Sequence, residues 1–192
     1  MIAIIDYGNT NAGNIAETLN KLSAECMITG SEKGILVADK IILADCNDIT
    51  SSIRKLHLLN LFSALRIVKK PVLGIGTGMH LMTRVYTKFN AACLGCFPVD
   101  CESRTDIPQS EFEEHQINII AETELLKGIT PADRFLCYTN CVIPVNDFTT
   151  STMDVNSGIS ASIEKVNLYG LQFNPEKSGE AGLKIFKNFL AI

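Results

Sequence analysis

No stretch of the 192-residue sequence reaches the roughly 18 uninterrupted apolar residues of a membrane span, which argues against a membrane protein. The sequence also lacks any run of basic residues. Its 17 lysines and arginines are outnumbered by 21 aspartates and glutamates, and the formal net charge is −4. Because nucleic-acid affinity depends largely on neutralising phosphates, this charge argues against a nucleic-acid partner. The N-terminus has no basic region and reaches Asp6 at once, so no secretory signal is expected.

The seven cysteines are an odd number and no export signal accompanies them, so we expect a reducing cytoplasmic location rather than a disulfide framework. Cys93 and Cys96 form a CxxC pair. A zinc ribbon has its second CxxC about 15–20 residues later, whereas Cys137 and Cys141 lie much farther on and are spaced CxxxC. We therefore expect buried, inert thiols and predict neither a metal site nor a cofactor.

Composition and pattern predict one folded domain over residues 1–192. Hydrophobic residues make up 46% and charged residues 20%, which suffices for a sizeable core. The apolar runs typical of buried strands lie at 2–5, 40–43, 72–75 and 166–173. Helical spacing of apolar residues is found at 14–22, 53–68, 79–85 and 182–190. Shorter strand-like pieces lie at 116–120, 135–142 and 158–163. This alternation predicts an α/β fold with an open, mostly parallel sheet, helices on both faces and a small antiparallel insertion.

A glycine-dense turn follows the predicted strand at 72–75 and carries the strongest local signal. Sites in open α/β sheets form where strands end and helices begin. Here Gly74 and Gly78 flank Gly76 symmetrically, as small residues flank the nucleophile of a strand–turn–helix elbow. The central position, however, is Gly76, which has no side chain to act as a nucleophile.

This elbow and other segments resemble the glutaminase subunits of imidazole glycerol phosphate synthase, which are triad-type (class I) glutamine amidotransferases. The segments are MIAIIDYG at 1–8 with Asn11, PVLGIGTGM at 71–79 and GLQFNPEKSG at 170–179. The last is the most specific, and the match extends over nearly the whole chain. The resemblance implies an amidotransferase fold, glutamine hydrolysis and a (β/α)₈ cyclase partner that receives ammonia.

The departures from this family fall on its catalytic residues. The family's elbow has cysteine where this sequence has Gly76, and its terminal motif has histidine where this sequence has Asn174. Only the third triad member, Glu176, matches. Glycine cannot attack an amide, and asparagine cannot act as a general base near neutral pH. The family's oxyanion loop is rich in proline and glycine, whereas residues 44–48 contain neither.

These changes predict a degenerate glutaminase-like subunit, a pseudoenzyme that retains the fold. It would bind the cyclase-type partner, or it would act as a binding or regulatory module that holds a small polar ligand near His80 and the vestigial triad positions. Asp6 and Asn11 are candidates for contact with a partner or ligand, and they also suit a turn. Lys177, before the last helix, is a further candidate.

A second hypothesis is a functioning amidotransferase subunit with a substitute nucleophile. Cys46 lies in the loop that corresponds to the oxyanion loop, and His80 lies one helical turn after Gly76. The two could form a thiol–imidazole pair in one cavity. Asn47 and Thr77 are neighbouring pocket positions. The alternative interpretation makes Cys46 a small apolar loop residue and His80 a polar wall residue.

Overall fold

The structure, a computed structural model, describes residues 1–104, 113–138, 140–154 and 158–192. Its strands within these ranges are β1 (Ile2–Ile5), β2 (Cys26–Thr29), β3 (Lys40–Leu43), β4 (Val72–Ile75), β5 (Val85–Tyr86), β6 (Ala91–Ala92), β7 (Glu102–Ser103), β8 (Glu113–His115), β9 (Ile117–Ile119), β10 (Phe135–Cys137), β11 (Cys141–Val142), β12 (Thr149–Met153), β13 (Ser160–Lys165) and β14 (Leu168–Leu171). Its α-helices are α1 (Ala12–Lys21), α2 (Glu32–Val37), α3 (Ile49–Leu58), α4 (Leu61–Ile67), α5 (Thr77–Leu81) and α6 (Gly179–Ala191).

One large sheet organises the described residues. It has eight strands in the order β2-β1-β3-β4-β14-β13-β12-β9. The first five strands are parallel to one another, and the last three are joined antiparallel. Three two-stranded pieces, β5-β6, β7-β11 and β8-β10, pair separately. The predicted open, mostly parallel sheet with antiparallel strands from the later part of the chain is therefore confirmed.

Helices cover both faces of the sheet, as the continuous apolar strands predict. In β1, Ile2 and Ile4 belong to one buried core, which also contains residues of α1 and α6. Ala3 and Ile5 belong to a second core, which contains residues of α2, α3, α4 and α5. Because successive side chains of a strand point to opposite faces, a strand between two layers is apolar throughout. The turns at the carboxyl ends of β1, β3 and β4 are thereby held by strands that are packed from both sides.

The helix predicted over 53–68 is two helices, so that prediction is wrong in its middle. Between α3 and α4, Asn60 has a φ of +57°. This left-handed conformation interrupts an α-helix, and asparagine adopts it more readily than most residues. The predicted apolar stripe still marks the packed side, because Leu56 and Leu65 are buried and Ile53, Leu59 and Phe62 are partly buried against the same core.

Two further element boundaries differ from prediction. The helix predicted over 79–85 ends at Leu81, and Val85 already belongs to β5. The strand predicted over 166–173 starts later, because Val166 lies in the tight turn of the β13–β14 hairpin with a φ of +53°. In both places a turn interrupts the predicted element, and periodicity alone does not reveal such a turn.

Several elements were not predicted, among them β2, α2 and β12. Strand β2 is only partly buried at the edge of the sheet, so it lacks a continuous apolar run. Strand β12 is buried although it is mostly hydroxylic. Its hydroxyls pair across the sheet with those of β13, as between Thr150 and Ser162 at 2.7 Å and between Ser151 and Ser162 at 2.6 Å. Hydroxyl pairs satisfy the buried polar groups that would otherwise exclude such a strand from a core.

Candidate functional site

The candidate site lies at the carboxyl end of β4, where the strand turns into α5. Gly76 occupies this turn with φ +53° and ψ −119°, a conformation that strains residues with a side chain. A Cβ on Gly74 would lie 2.7 Å from the carbonyl oxygen of Gly78, and a Cβ on Gly78 would clash with the carbonyl of Leu43. The three glycines therefore form the close-packed backbone of a strand–elbow–helix turn.

A cavity of about 490 Å³ opens beside the elbow. Its walls come from the loop after β3, the start of α5, the segment between β10 and β11, and the residues after β14. The predicted pocket positions that line it are Cys46, Asn47, Gly76, Thr77, His80 and Asn174. Glu176 lies behind Asn174 and accepts a hydrogen bond from it, and Asn11 in turn donates to Glu176.

The carboxylate of Asp45 fills the space next to the α-carbon of Gly76. A Cβ on Gly76 would lie 2.5 Å from Asp45 Oδ1 and 2.7 Å from Asp45 Cγ, which is too close for either atom to stay in position. The backbone N–H of Thr77 donates to Asp45 Oδ1 at 2.9 Å. The single hydroxyl proton of Thr77 is shared between Asp45 Oδ1 and the carbonyl oxygen of Cys46, each at 2.8 Å. The N–H of the residue after an elbow nucleophile commonly stabilises an oxyanion, and here a carboxylate occupies it.

Asn174 links Asp45 to a second acidic group. Its Nδ2 donates to Asp45 Oδ2 at 3.0 Å and to Glu176 Oε1 at 2.9 Å. Asn11 Nδ2 donates to the same oxygen of Glu176. Both protons of the Asn174 amide are thus used. A continuous hydrogen-bond chain from Thr77 to Asn11 crosses the positions at which the resembled family has its triad.

Glu176 titrates in an unusual range because it is buried. Burial raises the pKa of Glu176 to about 7, the hydrogen bond from Asn174 opposes the rise, and the negative charge of Asp45 adds to it. Glu176 Oε2 has no hydrogen-bond partner in the described part of the chain. A buried carboxyl oxygen without a donor stabilises the protonated form of the acid.

The thiol of Cys46 faces helix α3. Its Sγ lies 2.9 Å from Ser52 Oγ and 3.7 Å from the carbonyl oxygen of Asp48. Burial raises the pKa of Cys46 to about 11, and the negative charge of Asp45 contributes to the rise. Within the described ranges no hydrogen bond joins Cys46 to His80. The substitute pair therefore lacks the contact that would activate a thiol, and Cys46 remains protonated at neutral pH.

His80 pairs with Gln172 instead. Its Nε2 lies 2.9 Å from Gln172 Oε1. Gln172 Nε2 donates to the carbonyl oxygens of Tyr138 at 3.0 Å and Cys141 at 2.9 Å, which fixes the amide oxygen toward His80. His80 Nε2 is therefore the protonated nitrogen, and Nδ1 carries a lone pair. Burial lowers the pKa of His80, so the ring is neutral.

The remaining predicted residues lie at or beyond the edge of the site. Asp6 Oδ1 accepts from Gly8 N–H at 2.9 Å and from Thr10 Oγ1 at 3.3 Å, which is the local turn that one interpretation of Asp6 predicts. Asn47 is exposed at the rim of the cavity. Lys177 lies in the short 3₁₀ turn before α6. Contacts of these residues with a partner stay predictions.

Membrane spans and metal clusters are not found in the part of the chain that the structure describes. None of the helices there is long and apolar enough to cross a membrane. No group of three or more His, Cys, Asp or Glu side chains there could hold a metal ion. All seven cysteines are free thiols, and Cys46, Cys93, Cys101 and Cys137 are buried.

Asp45 and Gln172 are the site residues that the sequence did not single out. Asp45 belongs to the loop that was noted only for lacking proline and glycine. The sequence did contain a signal for Asp45. A carboxylate in that loop occurs together with glycine at the elbow, and the volume of the first compensates for the missing side chain of the second. Gln172 and Asn174 are two residues apart after β14, so the period of an extended chain puts both on the cavity side.

These observations define a class of protein. In this open α/β sheet, an inner strand ends in a positive-φ elbow, and a polar turn after the last parallel strand lies opposite it. Such an arrangement presents a reacting group at the carboxyl edge of the sheet. The sequence model of the family Glutamine amidotransferase class-I matches residues 3–192. The chain belongs to the class I glutamine amidotransferase family.

The relatives identify the branch of the family that the chain resembles. Over 195 residues it is 33% identical to the imidazole glycerol phosphate synthase subunit HisH of Bacteroides fragilis (strain YCH46), and the match covers 100% of this chain and 99% of the relative. The subunit HisH of Escherichia coli (strain K12) is 29% identical over 194 residues, with the same coverage of 100% and 99%. The resemblance inferred from the motifs is therefore confirmed.

Solved structures support the fold. A glutamine amidotransferase crystal structure superposes with a TM-score of 0.80 at 11% identity, covering 99% of this chain and 97% of that one. The structure of PurLQS from Thermotoga maritima gives a TM-score of 0.75 at 16% identity, covering 99% of this chain and 97% of that one. At these identities the similarity concerns the fold alone, and it agrees with the sheet order described above.

Proposed function

We propose that this chain is a non-hydrolysing member of the glutamine amidotransferase family, which retains the fold and a binding cavity but does not release ammonia from glutamine. The single observation that carries the proposal is the position of Asp45. Its carboxylate lies 2.5 Å from where a Cβ on Gly76 would stand and accepts the hydrogen bond of Thr77 N–H. The space for an attacking sulfur and the donor for an oxyanion are occupied by one side chain.

The proton-transfer part of the reaction supports the same proposal. In this family a thiolate attacks the amide carbon and an imidazole carries the proton to the leaving ammonia. The residue beside Glu176 is Asn174, whose amide has no titratable proton and whose donors are held by two carboxyl groups. Triad members act as a unit, so loss of both nucleophile and base abolishes turnover rather than reducing it.

The partner is proposed from similarity along the whole chain. The Bacteroides fragilis relative, 33% identical and covered to 99%, is named as a subunit of imidazole glycerol phosphate synthase. We propose that this chain still associates with a (β/α)₈ cyclase-type subunit, without supplying it with ammonia. Co-elution of the two purified chains in size-exclusion chromatography tests this association.

The decisive experiment measures ammonia release from glutamine by the purified chain, alone and with the cyclase-type subunit. We expect no release above the rate of a heat-denatured control. Steady release overturns the proposal. In that case the Cys46→Ser variant identifies the source: loss of activity makes Cys46 the nucleophile of a functioning subunit, and retained activity assigns the chemistry to another group. Catalytically competent family members serve as the positive control.

A further inference from the structure

We infer that the cavity beside Gly76 binds a small organic cation, one that presents an ammonium or guanidinium group to the carboxylate of Asp45. The inference deepens the proposed function and rests on it, because it concerns the same cavity once that cavity no longer binds a reacting amide. It specifies that the occupant is positively charged and that the occupant donates hydrogen bonds to the cavity.

The charge of the cavity wall is negative. Asp45 and Asp48 both line it, and the residues described there include no lysine or arginine. The carboxylate of Asp48 is committed to the first turn of α3, where it accepts from Thr50 N–H at 3.3 Å and Ser51 N–H at 2.8 Å. Asp45 has no cationic partner among the described ion pairs. A partly buried carboxylate without a counter-charge favours a positively charged occupant.

Asp45 retains room for one more donor. A carboxylate has about four acceptor positions. At most three are used, two by Thr77 and one by Asn174, because the Thr77 hydroxyl also lies 2.8 Å from the carbonyl oxygen of Cys46. The side chain is only half-buried, and it faces the cavity. One acceptor position is therefore available to a ligand that donates.

The unpartnered buried polar atoms of the wall are acceptors as well. His80 is 3% exposed and Asn174 is 1% exposed, and both line the cavity. His80 Nδ1 and Asn174 Oδ1 have no hydrogen-bond partner in the described part of the chain. The pairing with Gln172 leaves Nδ1 as the lone-pair nitrogen, and the two donors of Asn174 are already used. Both atoms have almost no accessible surface, so the direct contact of an occupant is with Asp45, while the buried wall behind it offers acceptors rather than donors.

The same geometry disfavours anions. The backbone N–H of Thr77, which would otherwise face an oxyanion, already donates to Asp45. A carboxylate ligand would meet the carboxylate of Asp45 without a donor to separate the two charges. The volume of about 490 Å³ accommodates a molecule of amino-acid size, so charge and hydrogen-bond direction, rather than space, select the occupant.

A matched pair of probes tests the inference. 1-Butylguanidinium and 1-butylurea have the same number of heavy atoms, and they differ in the charge of the head group. Isothermal titration calorimetry and thermal shift on the full chain should give 1-butylguanidinium at least about tenfold tighter binding than 1-butylurea, equivalent to about 1.4 kcal/mol. Butylammonium should bind and butyrate should not. Equal binding of the first two, or binding of neither, overturns the inference.

The Asp45→Asn variant locates the binding. It keeps the shape of the side chain and removes its charge, so the preference for 1-butylguanidinium should fall to within about twofold. Glu17→Gln, an exposed acid on α1, is the matched control and should retain the full preference. If the Asp45→Asn variant keeps the preference for 1-butylguanidinium over 1-butylurea, the inference is overturned, even when the wild type binds 1-butylguanidinium strongly. Because these are binding measurements, failure here leaves the proposal about glutamine intact, and ammonia release would overturn that proposal independently.

Discussion

Asp45 Oδ1 lies 2.5 Å from the point at which a Cβ of Gly76 would stand. The two residues follow the adjacent parallel strands β3 and β4, whose carboxyl ends meet at one edge of the sheet. A side chain at the elbow after β4 would require the carboxylate of Asp45 to move out of its present position. The position of the Asp45 carboxylate therefore depends on the absence of a side chain at residue 76, although the two residues are far apart in the sequence.

The first prediction concerns Gly76→Cys. Cysteine at a φ of +53° is strained, and its Cβ meets Asp45, so we expect a loss of stability of about 1–3 kcal/mol or more and no glutaminase activity. For a chain of this length each kcal/mol lowers the melting temperature by about 2–4 °C. Differential scanning calorimetry measures the shift.

Gly8→Cys is the control for this prediction. Gly8 also has a positive φ, +87°, but a Cβ there meets nothing within 4 Å, so only the backbone strain remains. The extra loss in Gly76→Cys reports the contact with Asp45, and adding Asp45→Gly to Gly76→Cys should recover it. An unchanged or higher melting temperature for Gly76→Cys would contradict the strained-elbow account.

The second prediction concerns the pH dependence that Glu176 confers. Burial raises the pKa of Glu176 from its ordinary 4.5 to about 7 in the folded chain. The folded state therefore binds the proton more tightly than the unfolded state. This contribution is fully present below about pH 4.5, and it is lost as the pH rises through about 7.

Urea unfolding of the wild type and Glu176→Gln at about pH 5 and pH 8 measures this effect. Glutamine does not titrate, so the variant should lose about 2–3 kcal/mol less stability than the wild type over this range. Glu180→Gln, in the first turn of α6 and exposed, should behave like the wild type. Parallel pH dependence of the wild type and Glu176→Gln would show that the carboxyl is ionised in both states.

The third prediction concerns thiol reactivity. Burial raises the pKa of Cys46 to about 11 and its thiol pairs with Ser52, so alkylation should be slow. With iodoacetamide at about pH 8 we expect Cys46 to react at least about tenfold more slowly than the half-buried Cys26, as followed by peptide mass spectrometry. If Cys46 is labelled first, its thiol is activated, and the hypothesis of a substitute nucleophile gains support.

The fourth prediction concerns Gln172, which fixes His80. Gln172→Ala leaves His80 Nε2 and the carbonyls of Tyr138 and Cys141 without their partner, and we expect a loss of about 1–3 kcal/mol in chemical unfolding. Gln116→Ala is the control, because Gln116 Nε2 donates to a carbonyl in an exposed position, and it should change stability by less than about 0.5 kcal/mol. Equal losses in both variants would contradict the structural role of Gln172.

Much of the sheet could be predicted because its inner strands are apolar on both faces. The predicted strands 2–5, 40–43 and 72–75 agree with β1, β3 and β4 residue for residue. What could not be predicted depends on tertiary contacts. Asn60 divides a long apolar stripe through one backbone conformation, and β12 is buried through hydroxyl pairs that no apolar pattern reveals.

The site was predictable in position but not in its chemistry. The glycine spacing identified the elbow, and the family resemblance identified Asn174 and Glu176. The role of Asp45 depends on its distance from Gly76 across two strands, and the role of Cys46 depends on a thiol that points to Ser52 rather than to His80. Such directions are set by the packing of neighbouring loops, which composition and spacing do not encode.

The loop that carries Asp45 is also fastened by its backbone to the first turn of the chain. Asn11 N–H donates to the carbonyl oxygen of Asp45 at 3.0 Å, and Thr10 forms an isolated bridge with Cys46. An occupant that shifts the backbone of Asp45 would change the length of that backbone bond. The ¹⁵N–¹H resonance of Asn11 would then report the binding, because its chemical shift depends on that hydrogen bond, and the added molecule would need no label.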